Sequence, residues 1–178
     1  MSKLKSILIN LSLSFTIFFL LSVSLLLLDL YEHNKMEKYM GFNYRGYRGE
    51  IVGKKEPNEI RIVVLGGSCA YGFGAMASET IPYCLGKIIN NRFKSSGVKF
   101  NVINLAFNNE SAVCFMSTLK QYEYLKPDMV LLYSGYNDHL PAISYYRTEM
   151  SAFRNRSFIF RMTGYMPILP VVIVEKYY

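Results

Sequence analysis

The sequence predicts an α/β fold, a parallel sheet in a three-layer α/β/α sandwich, carried behind an N-terminal transmembrane helix. Three observations predict it. Residues 7–28 form a run of 22 residues without a charge. Further on, apolar runs rich in β-branched residues occupy 60–65, 98–105 and 129–133, the composition of buried strands. Between them lie two segments with apolar residues at helical spacing. The resulting β-α-β-α-β order implies right-handed crossovers, a parallel sheet and helices covering its faces.

As a helix, the uncharged run would measure roughly 33 Å, enough to cross a hydrocarbon core of about 30 Å. Lys3 and Lys5 precede it, whereas Asp29 and Glu32 follow it; this asymmetry keeps the N-terminus in the cytoplasm and exports the rest. A cleaved signal peptide is the alternative. The run is longer than the roughly 7–15 apolar residues of such peptides, and no A-x-A site follows, so an uncleaved anchor is favoured. The expected organisation is an anchor with a short cytoplasmic tail over 1–30, a loosely packed juxtamembrane linker over 31–59, and a domain over 60–178. The linker has neither a strand nor a helix period, and His33 within it reads as a membrane-surface side chain.

The chain has 178 residues and a formal charge of +7. Its basic residues are scattered among acids and aromatics, which describes a solvated surface and not a nucleic-acid site. The lipid bilayer is the expected partner. Cys69, Cys84 and Cys114 form no CxxC, so neither a disulfide framework nor a metal site is indicated; no cofactor is expected, and all three thiols are expected to be buried.

The elements follow in order. The strand at 60–65 ends at Gly66-Gly67. Ser78 or Thr80 caps a helix whose expected buried face is Ile81, Cys84, Leu85, Ile88 and Ile89, ended by Gly97. After the strand at 98–105, Ser111 opens a helix with Val113, Phe115, Met116, Leu119, Tyr122 and Leu125 as its apolar set, and Pro127 stops it before the third strand. The stretch 145–165 mixes Arg147, Arg154, Arg156 and Arg161 with Phe153, Phe158 and Phe160. It packs on the core with its arginines facing solvent, or lies on anionic lipid headgroups.

In an open parallel sheet the strand-to-helix turns share one edge, where ligands bind. Three such turns are legible, "GGSCAYGFG", "AFNNES" and "SGYNDHL", so Ser68, Asn108 or Asn109, and Asn137 should converge. A phosphate-cradling loop is excluded because no lysine follows Gly72 or Gly74. "GFGAMA" lies too far past its strand for a dinucleotide fingerprint. A serine behind two glycines can expose its hydroxyl at the sheet edge, with its own N–H ready for an oxyanion, and Asn137 beside Gly135 offers a neutral amide donor. Spacing alone leaves open the plainer reading, in which Ser68 completes a turn and Asn137 caps the next segment.

These blocks resemble the SGNH (GDSL-type) hydrolases. "VVLGGSCAYGFG" is similar to their first block, with Ser68 as the implied nucleophile; "GYND" at 135–138 matches their third, making Asn137 an oxyanion donor on the turn at Gly135. The resemblance implies a flavodoxin-like sandwich and an ester hydrolase or acyl-transferase acting on O-acyl groups of glycans or lipids. Asn109 stands where the second block has a glycine whose N–H joins the oxyanion hole; Asn is the side chain that best tolerates left-handed backbone. The family's base comes from a DxxH block, which this sequence lacks. Of its two histidines, His33 lies just past the anchor, and only His139 stands near the third turn. The expectation is a C-terminally truncated member, inactive or nearly so as it stands. The alternatives are a non-catalytic envelope protein that binds glycans or a partner through the same cleft, and a gene fragment without function.

Overall fold

The computed structural model describes residues 3–135, 137–139, 150–170 and 172–173. The chain is mixed α/β, with a small three-stranded parallel sheet and one long apolar N-terminal helix. It divides into two compact units, one of residues 1–35 with 168–178, the other of residues 36–167.

Helix α1 (Lys3–Met40) is long and apolar enough to cross a membrane, and its most apolar stretch is wholly unburied. It does not stop at the expected boundary near residue 30. Residues 31–40 contain no Gly or Pro and carry strong helix formers, Glu32, Lys35, Glu37 and Lys38 among them; Gly41, at φ 67°, ends the helix. The carboxylate of Asp29, directly after the apolar run, is buried and accepts the backbone N–H groups of Ile168 (2.9 Å) and Leu169 (2.6 Å). His33, one turn on, is buried with it at 3.9 Å. The membrane-surface reading of His33 is therefore corrected: it completes the surroundings of a carboxylate that burial would otherwise leave under-satisfied.

In the second unit the segment expected as a loose linker is built into the fold. Phe42 and Arg48 form an antiparallel bridge, and Arg48 bridges onward to Asn104 at the edge of the sheet. Phe42, Asn43, Tyr47 and Arg48 are all buried. Asn43 holds the turn, its Oδ1 accepting from Arg45 N (2.9 Å) and its Nδ2 donating to Gly49 O (2.8 Å). Such side-chain turns carry no periodic signal, which is why this stretch reads as unstructured.

Strand β1 (Glu59–Gly66) is central, flanked by β2 (Lys99–Asn104) and β3 (Met129–Tyr133) in the order β2-β1-β3, all parallel. Val63 stands opposite both Ile103 and Val130. Only β1 has the near-continuous burial expected of every strand. β3 is an exposed edge, with Leu132 63% and Tyr133 54% accessible. A buried pair pins the start of β1: Arg61 Nε donates to Glu59 Oε1 (2.6 Å), and its guanidinium also reaches Leu125 O and Gly53 O. The Arg61 guanidinium holds the Glu59 carboxyl well below the usual range, at about 2.

Thr80, not Ser78, caps α3 (Ile81–Arg92), its hydroxyl accepting from Tyr83 N at 3.4 Å. The expected face is wrong, since Ile81, Cys84 and Ile88 are exposed. The helix instead turns Gly86 and Asn90 to the sheet. A Cβ on Gly86 would stand 3.4 Å from Val102, and the Asn90 amide exchanges two hydrogen bonds with the backbone of Phe100. Satisfying the open edge of β2 outweighs burying two isoleucines. In α4 (Ala112–Gln121) and just after it, Phe115, Tyr122 and Leu125 of the expected apolar set are buried, whereas Val113 and Met116 face out and Cys114 and Thr118 are buried in their stead. Cys69 and Cys84 are exposed; of the three thiols only Cys114 is buried. Helices α5 (Met150–Arg156) and α6 (Phe158–Thr163) follow, and Arg147 lies outside the described residues.

Candidate active site

The site begins where β1 runs into α2 (Ser68–Tyr71). Gly66 is a steric necessity, and Gly67 leaves the space that a neighbouring side chain occupies. A Cβ on Gly66 would stand 2.5 Å from Tyr133 O and 2.6 Å from Ala70 Cβ. One on Gly67 would overlap the Asn137 Nδ2 atom and lie 3.3 Å from Glu110 O. Ser68 is half-buried at the first position of α2. Its carbonyl accepts from Gly72 N (2.9 Å) and Phe73 N (3.0 Å), closing the short helix on itself.

The far end of α2 is held from outside. Arg48 Nη1 donates to Tyr71 O (2.8 Å) and Gly72 O (2.7 Å), Nη2 to Ala75 O (2.5 Å), and Nε to Met40 O (2.5 Å). The guanidinium also lies 4.9 Å from the centroid of the Tyr71 ring. Asn104 Nδ2 adds bonds to Ala70 O and Tyr71 O. A cation among helix C-terminal carbonyls is favourable without any carboxylate partner, and burial lowers the Arg48 pKa.

The second turn carries Asn109 at φ 60°, in the left-handed region. Its neighbour Glu110 is buried and ion-paired with Arg154 of α5 at 3.3 Å. Arg154 also bonds Thr118 Oγ1 (3.0 Å) and Gln121 Oε1 (2.5 Å), and sits 5.2 Å over the Tyr122 ring. The expectation that the arginines of this region face solvent fails for Arg154, because Glu110, buried beneath the site, requires a cation.

The third turn brings Asn137 to the same place. Its Nδ2 donates to Glu110 O at 2.9 Å, using one of two amide hydrogens. Asp138 clamps the turn, accepting from Gly135 N (2.8 Å) and Ala112 N (2.7 Å). Gly135 sits at φ 132°, a conformation open to glycine alone in practice.

A cleft of about 50 Å³ lies between the first and third turns, walled by Ser68, Cys69, Glu110, Tyr133, Gly135 and Asn137 among others. That is room for one or two water-sized groups, the scale of a reacting centre and not of an acyl chain. The structure thus brings Ser68, Gly135 and Asn137 together. Asn109 is exposed and does not line the cleft; Glu110 takes that wall. His139 is exposed at the end of the 3-10 turn that Asn137 begins, and no histidine is among the described residues lining the cleft. A larger groove of about 710 Å³ runs beside β2 and α3, walled by Tyr83, Asn91 and Asn101 among others, but none of the expected site residues reaches it. Glu110, Arg154 and Arg48 escaped the sequence reading; each acts through partners remote in sequence. The chain matches no known family model and no curated protein.

Proposed function

We propose that the Ser68 cleft is an acyl-transfer site of the SGNH type, on a protein anchored in the membrane with its domain outside the cytoplasm. One observation carries this reading: the Asn137 carboxamide packs against the bare Cα of Gly67, immediately before Ser68, so a neutral N–H donor and a serine share one small cleft. On this reading the β2-β1-β3 sheet is part of a three-layer α/β/α sandwich. The substrate class is an O-acyl ester of a glycan or lipid.

Ser68 Oγ attacks the ester carbonyl carbon and loses its proton to a base. The carbonyl oxygen becomes an oxyanion, held by the remaining Asn137 N–H together with the backbone N–H of Ser68; Asn109, outside the cleft, takes no part. Collapse expels the alcohol, which takes up the proton, and leaves an acyl-serine. Water or a second hydroxyl then takes the acyl group by the same steps reversed. The base in the resembled family is a histidine of the DxxH block, absent from this sequence.

A second reading, a non-catalytic cleft that binds a glycan or an envelope partner, is favoured by the lack of a histidine among its described lining residues. Labelling of the full chain with a fluorophosphonate, read by intact mass with and without added imidazole as a substitute base, separates the two. The acyl-transfer reading requires imidazole-dependent labelling that Ser68→Ala abolishes and Asn137→Ala slows about 10²–10³-fold. No labelling at any imidazole concentration would leave the binding reading.

A further inference from the structure

Helix α6 exposes a second apolar face beyond the one it buries, unlike an ordinary surface helix. Phe158, Ile159 and Met162 are 72%, 51% and 70% exposed, while Phe160 on the opposite side is 7% exposed and packs at the Tyr122 ring. Positions 158, 159 and 162 fall within about 100° of one another on a helical wheel, so they form one apolar face. The exposed Arg161 flanks this face, and Arg156 is exposed just before it. An exposed apolar helix face bordered by arginines has the composition of an interfacial membrane contact.

A second observation says what covers it. Five residues after Thr163 the chain reaches Ile168, whose N–H is bonded to the Asp29 carboxylate, as is that of Leu169. Asp29 is the first residue after the uncharged run 7–28. Five residues span at most about 18 Å when fully extended. The bound comes from chain connectivity alone: no more than five residues separate the end of α6 from the residue bonded to Asp29. From Ile168 the sequence continues "ILPVVIV", again without a charge.

We propose that α6, through Phe158, Ile159 and Met162 with Arg161, is a docking surface for the anionic headgroup region of the bilayer that α1 spans. The proposal rests on the reading of α1 as a membrane span. Apolar side chains enter the headgroup boundary, the Arg161 guanidinium meets lipid phosphate, and the protein is held to the membrane at two points instead of one. Two-point attachment restricts how the domain turns above the surface, and so which ester groups its cleft can reach.

The test uses the full chain in vesicles, with a spin label at Ile159→Cys and a control label at the exposed Lys94→Cys, each placed in a chain lacking Cys69 and Cys84. Collisional accessibility to lipid-soluble oxygen against a water-soluble nickel chelate reports immersion. The expected result is an oxygen-to-nickel ratio at 159 several-fold above that at 94 in vesicles containing anionic lipid. The ratio should fall toward the control in zwitterionic vesicles and in Arg161→Gln, where the docked-to-undocked ratio drops about fivefold, the effect of one basic residue at an anionic surface. A label at 159 as water-accessible as that at 94, in protein resisting carbonate extraction, would overturn the docking surface. Shielding that depends on protein density would assign the face to a second copy and likewise overturn it. Release of the wild-type chain by carbonate would defeat the membrane-span reading itself, a distinct outcome.

Discussion

The closeness of Gly67 and Asn137 can be tested by adding a single methyl group. Gly67 has φ −83°, an ordinary value, so Gly67→Ala carries no backbone penalty and acts through its Cβ alone. That Cβ overlaps Asn137 Nδ2 and stands 3.4 Å from the carboxamide carbon. The amide must retreat by roughly 1 Å to restore van der Waals contact, which breaks its 2.9 Å bond to Glu110 O. Overpacking costs about 1–3 kcal/mol and the lost hydrogen bond about 1, so unfolding free energy should fall by about 2–4 kcal/mol. If Ser68 is a nucleophile served by this amide, imidazole-supported labelling slows by a further 10²–10³-fold, roughly the loss of one oxyanion donor. The decisive measurement is a double-mutant cycle by chemical denaturation and by labelling. In Asn137→Ala the added methyl at 67 meets no amide, so the double variant should be no worse than Asn137→Ala, with a coupling of about 2–4 kcal/mol, the whole cost of the single change. Simple additivity would refute the contact, and with it the assignment of Asn137 to the cleft.

Three further outcomes are expected. The folded pKa of Glu59, about 2 against an ordinary 4.5, makes its contribution complete above pH 4.5 and lost as pH falls toward 2. By linkage that is about 2 kcal/mol between pH 7 and pH 3, and Glu59→Gln should flatten the stability profile by that amount while lowering stability at pH 7. Arg48→Lys keeps the charge but not the fork that spans Met40, Tyr71, Gly72 and Ala75. Hydrogen exchange at the Gly72 and Phe73 amides, which donate to Ser68 O, should accelerate at least tenfold while the β1 amides keep their protection; equal protection would show that charge alone suffices. At Asn109, held at φ 60°, Asn109→Gly should change unfolding free energy by less than about 1 kcal/mol, and Asn109→Val should cost about 1–2 kcal/mol. Equal effects would show that the turn relaxes.

The repeating and steric features were legible in the sequence itself. The apolar run, the three strands and their parallel order follow from hydrophobic pattern, which runs along the whole length of an element. β3 matches its expected span, and the Gly-Gly-Ser and Gly-x-Asn-Asp turns stand at the ends of β1 and β3 because topology puts all such turns on one edge. Which face each helix buries was decided only in three dimensions. Asn90 and Gly86 of α3 displace Ile81 and Ile88 because β2 leaves backbone groups open at its edge, a need that no period within α3 encodes. The support of the site was equally hidden. Glu110 with Arg154, and Arg48 with the carbonyls of α2, pair residues 44 and 23–24 positions apart. Asp29 meets the amide of Ile168 from 139 positions away. Buried charges find partners wherever the folded chain offers them, so sequence determined the elements and the turn chemistry of this protein, while tertiary structure alone decided which charges hold those turns in place.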